Sequence, residues 1–294
     1  MIKYLTITCL AFLTITQVFS QNTSAKKETP PKEVVYKEIN GTKLKLSFYY
    51  PESFNKNEKY PTMIFFFGGG WNGGTTAQFN DQATYFASRG LITVLADYRV
   101  KNKHKTTPFD AVRDAKSAMR FLRIHADEFC VDSNKIIASG GSAGGHLAAA
   151  TTMLPELNEA GEDLSISTKA NALVLFNPVI DNGEGGYGYE RIGDRYLEIS
   201  PMHNITKGAP PTIFFLGDTD KYVPAETGRV FKTKMEAVGS RCDLFIYKNQ
   251  EHGFFNKGKQ KGNTYYLETL YEADVFLESL GYLKGKPTIK LDKK

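Results

Sequence analysis

The sequence predicts an α/β fold: a mostly parallel sheet of eight strands, opened by an antiparallel N-terminal hairpin, with helices on both faces. Three observations predict it. Short apolar runs alternate with segments of helical periodicity along most of the chain, as parallel strands joined by crossover helices require. Most of those runs are apolar without interruption, as strands buried on both faces should be. The first two are joined by Asn40-Gly41, a dipeptide suited to the two-residue hairpin turn.

In order, the strands are expected at 34–40 ("VVYKEIN"), 43–50 ("KLKLSFYY"), 62–67 ("TMIFFF"), 91–97, 135–140, 172–177, 212–217 and 243–248. Between them, 108–129 opens with Pro108 and keeps Phe109, Val112, Ala115, Met119 and Leu122 on one face at three- and four-residue steps, so it reads as a helix. Residues 225–239 and 264–281 have the same character, and "SAGGHLAAATTML" forms a further helix after 135–140. No internal repeat and no second domain is visible, so 34–283 is expected to form one domain.

The ends differ from this core. Residues 1–20 contain Lys3, an apolar stretch from Leu5 to Phe19, then Val18 and Ser20 in small-residue cleavage spacing, the layout of a removable secretory signal. The stretch is shorter and more polar than a membrane span, so no stable membrane insertion is expected after cleavage. Residues 21–33 read as a linker and 284–294 as a basic, solvated tail. The 294 residues are 41% hydrophobic and 23% charged, with a formal net charge of +5, values that favour a globular domain and give no reason to expect nucleic-acid binding.

The chemistry concentrates in "IIASGGSAGGHLAAA" (136–150). Gly140-Gly141-Ser142-Ala143-Gly144 is a G-x-S-x-G between a strand and a helix, a nucleophile elbow that exposes a serine hydroxyl at the carboxyl edge of the sheet. Side chains at Gly140 and Gly144 would collide with neighbouring elements, and the new helix aims unpaired N–H groups at the serine. A serine needs a base to take its proton and an acid to orient that base, in the chain order Ser, Asp or Glu, His. Among five histidines, His104 and His125 precede the serine, His146 is expected to pack on the following helix, and His203 sits in a loop. His252, in "NQEHGFFN" just after the last strand, is the expected base. Asp218 and Asp220 both follow 212–217; Asp220 is taken as the orienting acid and Asp218 as a turn former. "FFFGGGWNGG" (65–74) can bring backbone N–H groups to a substrate oxygen, and lacks the lysine and Ser/Thr of a phosphate-binding loop. Nothing calls for a cofactor or metal.

"GGGW", "ADYR" (96–99), "GGSAGGHLA", "GDTDKYVP" and "EHGF" together resemble the α/β-hydrolase superfamily. The resemblance is to its esterase/lipase group, which includes hormone-sensitive-lipase-like and acetyl-xylan- or feruloyl-esterase-like enzymes. It implies Ser142 as nucleophile, Asp220 as acid and His252 as base, with the N–H groups of Gly69, Gly70 and Ala143 as oxyanion donors. It also implies a serine carboxylesterase, which with the signal-like residues 1–20 is expected to be secreted or periplasmic and to act on acetyl or feruloyl-type esters carried by a small molecule or a polysaccharide. A prolyl-oligopeptidase-like peptidase and an inactive binding module are the alternatives. The N-terminal region is too short for the helical cap of lipase-like relatives, which implies an open site and a bulky or polymeric substrate.

Phe67 stands where the family has a loop-bracing histidine. Strand alternation predicts that its ring shares a face with Phe65 and packs on the loop or lines the pocket. Segment 181–201, with Tyr187, Tyr189, Tyr196, Arg191 and Arg195, reads either as a cover that contacts substrate or as a solvated loop. In this fold the strands starting near Lys135 and Asp243 have two others between them, a spacing of ~14 Å, so Cys130 and Cys242 are expected to stay unpaired.

Overall fold

The computed structural model describes residues 32–291. The expected signal segment with Cys9, most of the linker and the last three residues of the tail lie outside the described residues.

The strands are β1 (Lys32–Ile39), β2 (Thr42–Tyr49), β3 (Tyr60–Phe66), β4 (Ile92–Ala96), β5 (Val131–Gly141), β6 (Ala172–Phe176), β7 (Thr212–Gly217) and β8 (Cys242–Tyr247). They form one sheet in the order β1-β2-β4-β3-β5-β6-β7-β8. The β1–β2 and β2–β4 pairs are antiparallel and the others parallel. Asn40 and Gly41 turn the hairpin with φ of 48° and 73°, the left-handed pair that matches the twist of the flanking strands.

Five helices of nine residues or more cover the sheet: α1 (Asn80–Ser88), α2 (Pro108–Ile124), α3 (Ala143–Met153), α4 (Ala225–Ala237) and α5 (Thr264–Ser279). On one face, Ile64 and Phe66 of β3 pack with Val112 and Met119 of α2, Leu147 of α3 and Phe231 of α4. On the other, Met63 and Phe65 pack with Phe86 of α1 and Leu270 and Phe276 of α5. Consecutive β3 residues thus serve opposite layers, which is why the strand reads as an unbroken apolar run.

Three sequence expectations need correction. Helix α1 was not anticipated: it is short, and much of its buried stripe is small, Ala83 and Ala87 beside Phe86. Helix α2 begins at Pro108 as expected, with Asp110 accepting from the Thr107 N–H at 2.9 Å, but ends at Ile124 rather than 129. The chain turns back there, Val131 N–H donating to Ala126 O at 2.8 Å and Cys130 taking φ of 59°. Finally, Phe67 does not share a face with Phe65. β3 ends at Phe66, so the alternation no longer binds the next residue, and the Phe67 ring joins the layer of Phe66, stacked on Tyr98 with centroids 4.1 Å apart.

Cys130 precedes β5 and Cys242 opens β8, with β6 and β7 between those strands; both are buried and free. Among the described residues, no helix is long and apolar enough to cross a membrane.

Candidate active site

Strand β5 ends at Gly141 and α3 begins at Ala143, leaving Ser142 alone on the turn with φ 55° and ψ −121°. A non-glycine residue there is strained by ~1–3 kcal/mol and persists only where its surroundings hold it. They do: Ser142 N–H donates to Phe176 O at 2.9 Å, and Ser142 O accepts from the N–H groups of His146 and Val179 at 3.0 and 3.1 Å. The flanking glycines are obligatory through close approach. A Cβ on Gly144 would lie 2.0 Å from Phe66 O, and one on Gly140 would lie 2.4 Å from the Gly144 backbone.

The Ser142 hydroxyl lies 2.8 Å from His252 Nε2, and His252 Nδ1 lies 2.7 Å from Asp220 Oδ2. The donors run in one direction: Ser142 Oγ–H to Nε2, Nδ1–H to the carboxylate. Asp220 is buried, and its other oxygen accepts from the N–H groups of Tyr222 and Val223 at 2.8 and 3.0 Å, which fixes the carboxylate. The imidazole is thus oriented as an acceptor toward the serine, the arrangement of a general base.

The neighbouring candidates are placed elsewhere. Asp218 accepts from Asn249 N–H at 2.6 Å and ties the β7 and β8 turns together, a turn role. His203 bonds Ser200 Oγ at 2.8 Å beneath segment 181–201. His146 is buried, its Nε2 2.8 Å from Ile199 O, and burial lowers its pKa to about 4, so it is neutral packing. His104 Nδ1 accepts from Val100 N–H, and His125 pairs with Glu128 on the surface.

A cavity of about 270 Å³ opens over the serine, with Gly68, Gly69, Gly70, His252, Tyr187 and Tyr222 in its wall. No acceptor within the described residues takes the N–H of Gly69 or Gly70, and Ala143, as the first residue of α3, has an N–H with no intrahelical partner. These three amides therefore have no described acceptor, and Gly69 and Gly70 line the cavity that Ser142 shares. The loop that carries the glycines is braced from several directions. Tyr98 donates its hydroxyl to Phe67 O at 2.8 Å, and Arg191 Nη1 donates to Gly70 O at 2.7 Å. Gly70 has φ of 61°, and a Cβ there would meet the Tyr187 hydroxyl at 2.5 Å, so loop and segment 181–201 are packed to contact.

Within that segment, Tyr187 lines the cavity and Arg191 lies 5.3 Å from the Trp71 ring. Tyr189 bonds Asp194, Tyr196 packs on His203, and Arg195 covers Phe109, all away from the serine. Five residues at or beside the site were missed from sequence: Gln78, Tyr98, Asn177, Tyr222 and Asn256. Tyr98 and Tyr222 lie inside the quoted stretches "ADYR" and "GDTDKYVP", a signal that was present; for the three carboxamides there was none.

The sequence family described as BD-FAE matches residues 46–183, and the dienelactone hydrolase family matches 170–276. Among solved structures, esterase 2 of Thermogutta terrifontis, phosphoramylated by tabun, is 45% identical with a TM-score of 0.84, covering 88% of this chain and 98% of that one. A probable isoprenylcysteine alpha-carbonyl methylesterase of Arabidopsis thaliana is 25% identical over 71% of this chain and 48% of its own length. An acetylxylan esterase of Xylanibacter ruminicola is 27% identical over 64% of this chain and 39% of its own length. The chain therefore spans half or less of the length of these two curated relatives.

Proposed function

Because this chain belongs to the α/β-hydrolase esterases, we propose that it hydrolyses carboxylic esters of short acyl groups through Ser142, His252 and Asp220. The observation that carries the reading is the aligned pair of hydrogen bonds from Ser142 to His252 to Asp220, opening onto a cavity roofed by Gly69 and Gly70.

In this mechanism His252 Nε2 takes the Ser142 proton as Oγ attacks the ester carbonyl carbon. The carbonyl oxygen becomes an oxyanion and accepts from Gly69, Gly70 and Ala143 N–H. Donors of this kind are each worth ~3 kcal/mol of barrier. The imidazolium, held by Asp220, then protonates the alkoxy oxygen, the C–O bond breaks and the alcohol leaves. Water repeats the sequence on the acyl-enzyme: His252 takes its proton, the carboxylic acid departs and Ser142 recovers its hydrogen.

The acyl preference rests on the Thermogutta relative, whose structures include propionate-bound and butyrate-bound forms. A carbohydrate or other bulky alcohol is supported by the open cavity, by Tyr187 and Tyr222 in its wall, and by the likeness to an acetylxylan esterase. Export belongs to the same reading and is supported by the make-up of residues 1–20.

Turnover of p-nitrophenyl acetate by the wild type, lost in Ser142→Ala, is the expected result. Activity unchanged in that variant would overturn the assignment, and a wild type with no esterase activity would favour a binding module. Faster release of acetate from acetylated xylo-oligosaccharides than from simple alkyl acetates would support the carbohydrate reading; the reverse ranking would sink it.

A further inference from the structure

The loop that presents the oxyanion donors and the loop that presents the base are joined by a continuous run of carboxamide hydrogen bonds. Gly68 N–H donates to Gln78 Oε1 at 2.6 Å, and Gln78 Nε2 donates to Asn256 Oδ1 at 3.1 Å. Asn256 Nδ2 donates to Gly253 O at 2.8 Å, and Gly253 N–H donates to Asn177 Oδ1 at 2.8 Å. Asn177 Nδ2 then faces His252 Nε2 at 3.4 Å. Gly68 adjoins the proposed donor Gly69, and Gly253 adjoins the proposed base, so the run passes one residue from the reacting groups on both sides.

We infer that Gln78 and Asn256 are positioning residues that set the oxyanion loop and the His252 loop as one unit, taking over the bracing role that a histidine at position 67 would have. The inference rests on the esterase reading of the site.

Direction is the physical content of the arrangement. A carboxamide has a donor side and an acceptor side, so each group fixes the orientation of the next. The Gly68 group facing Gln78 is its N–H, which turns the Gln78 oxygen toward it and the Gln78 amide nitrogen toward Asn256. The same logic carries through Asn256 and the Gly253 peptide to the Asn177 oxygen, and the Asn177 amide nitrogen then lies 3.4 Å from His252 Nε2, whose single lone pair takes the Ser142 hydroxyl. Asn177 is buried, with φ of 33°, so its side chain is held at the end of β6 by an unusual backbone conformation. Phe67 cannot brace the loop in this way, because its ring lies in the opposite layer against Tyr98 and has no polar atom. Gln78 reaches the loop from the short helical turn before α1 instead.

The coupling is tested by steady-state kinetics on p-nitrophenyl acetate with Gln78→Ala, Asn256→Ala and the double variant. Each single variant is expected to lower kcat ~10–100-fold with KM within about twofold, because the bonds position groups that act in the transition state. The double variant should fall no further than about threefold below the worse single one, since either cut severs the same run. Losses that multiply in the double variant overturn the coupling, as does a near-normal kcat in either single variant or a rise in KM alone. Gln78→Glu keeps an acceptor for Gly68 N–H but sets a carboxylate oxygen against Asn256 Oδ1, so it should lose kcat as Gln78→Ala does; near-wild-type kcat would reduce the role to local bracing. If an alanine variant fails to fold, Gln78→Glu and Asn256→Ser complete the same cycle. Ser142→Ala separates the two levels: wild-type turnover that does not depend on Ser142 sinks the esterase reading, whereas Ser142-dependent turnover with normal Gln78 and Asn256 variants sinks only this inference.

Discussion

The turn that carries Ser142, proposed as a nucleophile elbow, and the glycine loop proposed to hold the oxyanion meet at one cavity and are held in opposite ways. The elbow is held by backbone. Gly140 and Gly144 let β3, β5 and α3 approach to contact, and Ser142 is fixed by three peptide hydrogen bonds. The oxyanion loop is held by side chains: the Tyr98 hydroxyl, the Arg191 guanidinium and the Gln78 carboxamide each bond a loop backbone group. A backbone-built site is rigid and writes a short signature. A side-chain-built site can be re-braced by different residues, so one family position, here Phe67, can change without removing the loop.

The largest expected effects break the elbow's chemistry without touching its frame. His252→Ala should lower kcat by on the order of 10⁴–10⁶, and Ser142→Ala by a similar amount, with unchanged thermal unfolding. The double variant should be little worse than either, because the groups act as a unit. Retained activity in His252→Ala with loss in His203→Ala would move the base to His203, against the 2.8 Å Ser142–His252 geometry. Next comes the acid. Asp220→Asn should lower kcat/KM about 10⁴-fold by removing the carboxylate that fixes the Nδ1–H tautomer, whereas Asp218→Asn should cost far less, since Asp218 bonds a turn N–H instead of the imidazole. The reverse ranking would transfer the role.

This contrast also explains what could be read from the sequence. The elbow's residues fall within five consecutive positions even though Gly144 is also pressed against Phe66 of β3, so Gly140, Ser142 and Gly144 announce themselves, and chain order points on to Asp220 and His252. Most of the strands were legible as apolar runs bounded by polar turns, and the first two as a hairpin about Asn40-Gly41. The bracing of the oxyanion loop was not legible, since its partners lie 10, 31 and 121 residues away in sequence, and the Gln78–Asn256 bond spans 178. No periodicity records such pairings. The expected face of Phe67 failed for a related reason: alternation holds within a strand, and β3 stops one residue earlier.

Phe67→Ala sharpens the comparison from the loop side. The ring is buried, stacks on Tyr98, and would lie 2.6 Å from a Cβ placed on Gly74, so it wedges the loop from beneath. Truncation should cost about 3–5 kcal/mol of stability, and it should lower kcat more than it raises KM, because loosened donors matter most in the transition state. A kcat equal to wild type would mean that Gly69 and Gly70 are positioned without Phe67 or do not donate to the oxyanion.

Tyr98→Phe is the finest cut, because it removes one oxygen and leaves the stacked ring in place. Tyr98 is fully buried, and burial raises its hydroxyl pKa well above the ordinary tyrosine value, so the group is a neutral donor at any working pH. Its one described bond goes to Phe67 O at 2.8 Å, and that carbonyl also faces the start of α3, where a Cβ on Gly144 would lie 2.4 Å away. Removing the donor leaves a buried carbonyl unpaired, which costs about 1–3 kcal/mol. The carbonyl belongs to the peptide that leads into Gly68, so the expected kinetic effect is a loss of kcat smaller than that of Phe67→Ala, with KM unchanged. A thermal melt beside steady-state kinetics on p-nitrophenyl acetate measures both. If Tyr98→Phe lowered kcat as far as Phe67→Ala, the hydrogen bond would be the brace and the apolar wedge secondary; if it changed neither stability nor kcat, the loop would be held by Gln78 and Arg191 without help from β4's end.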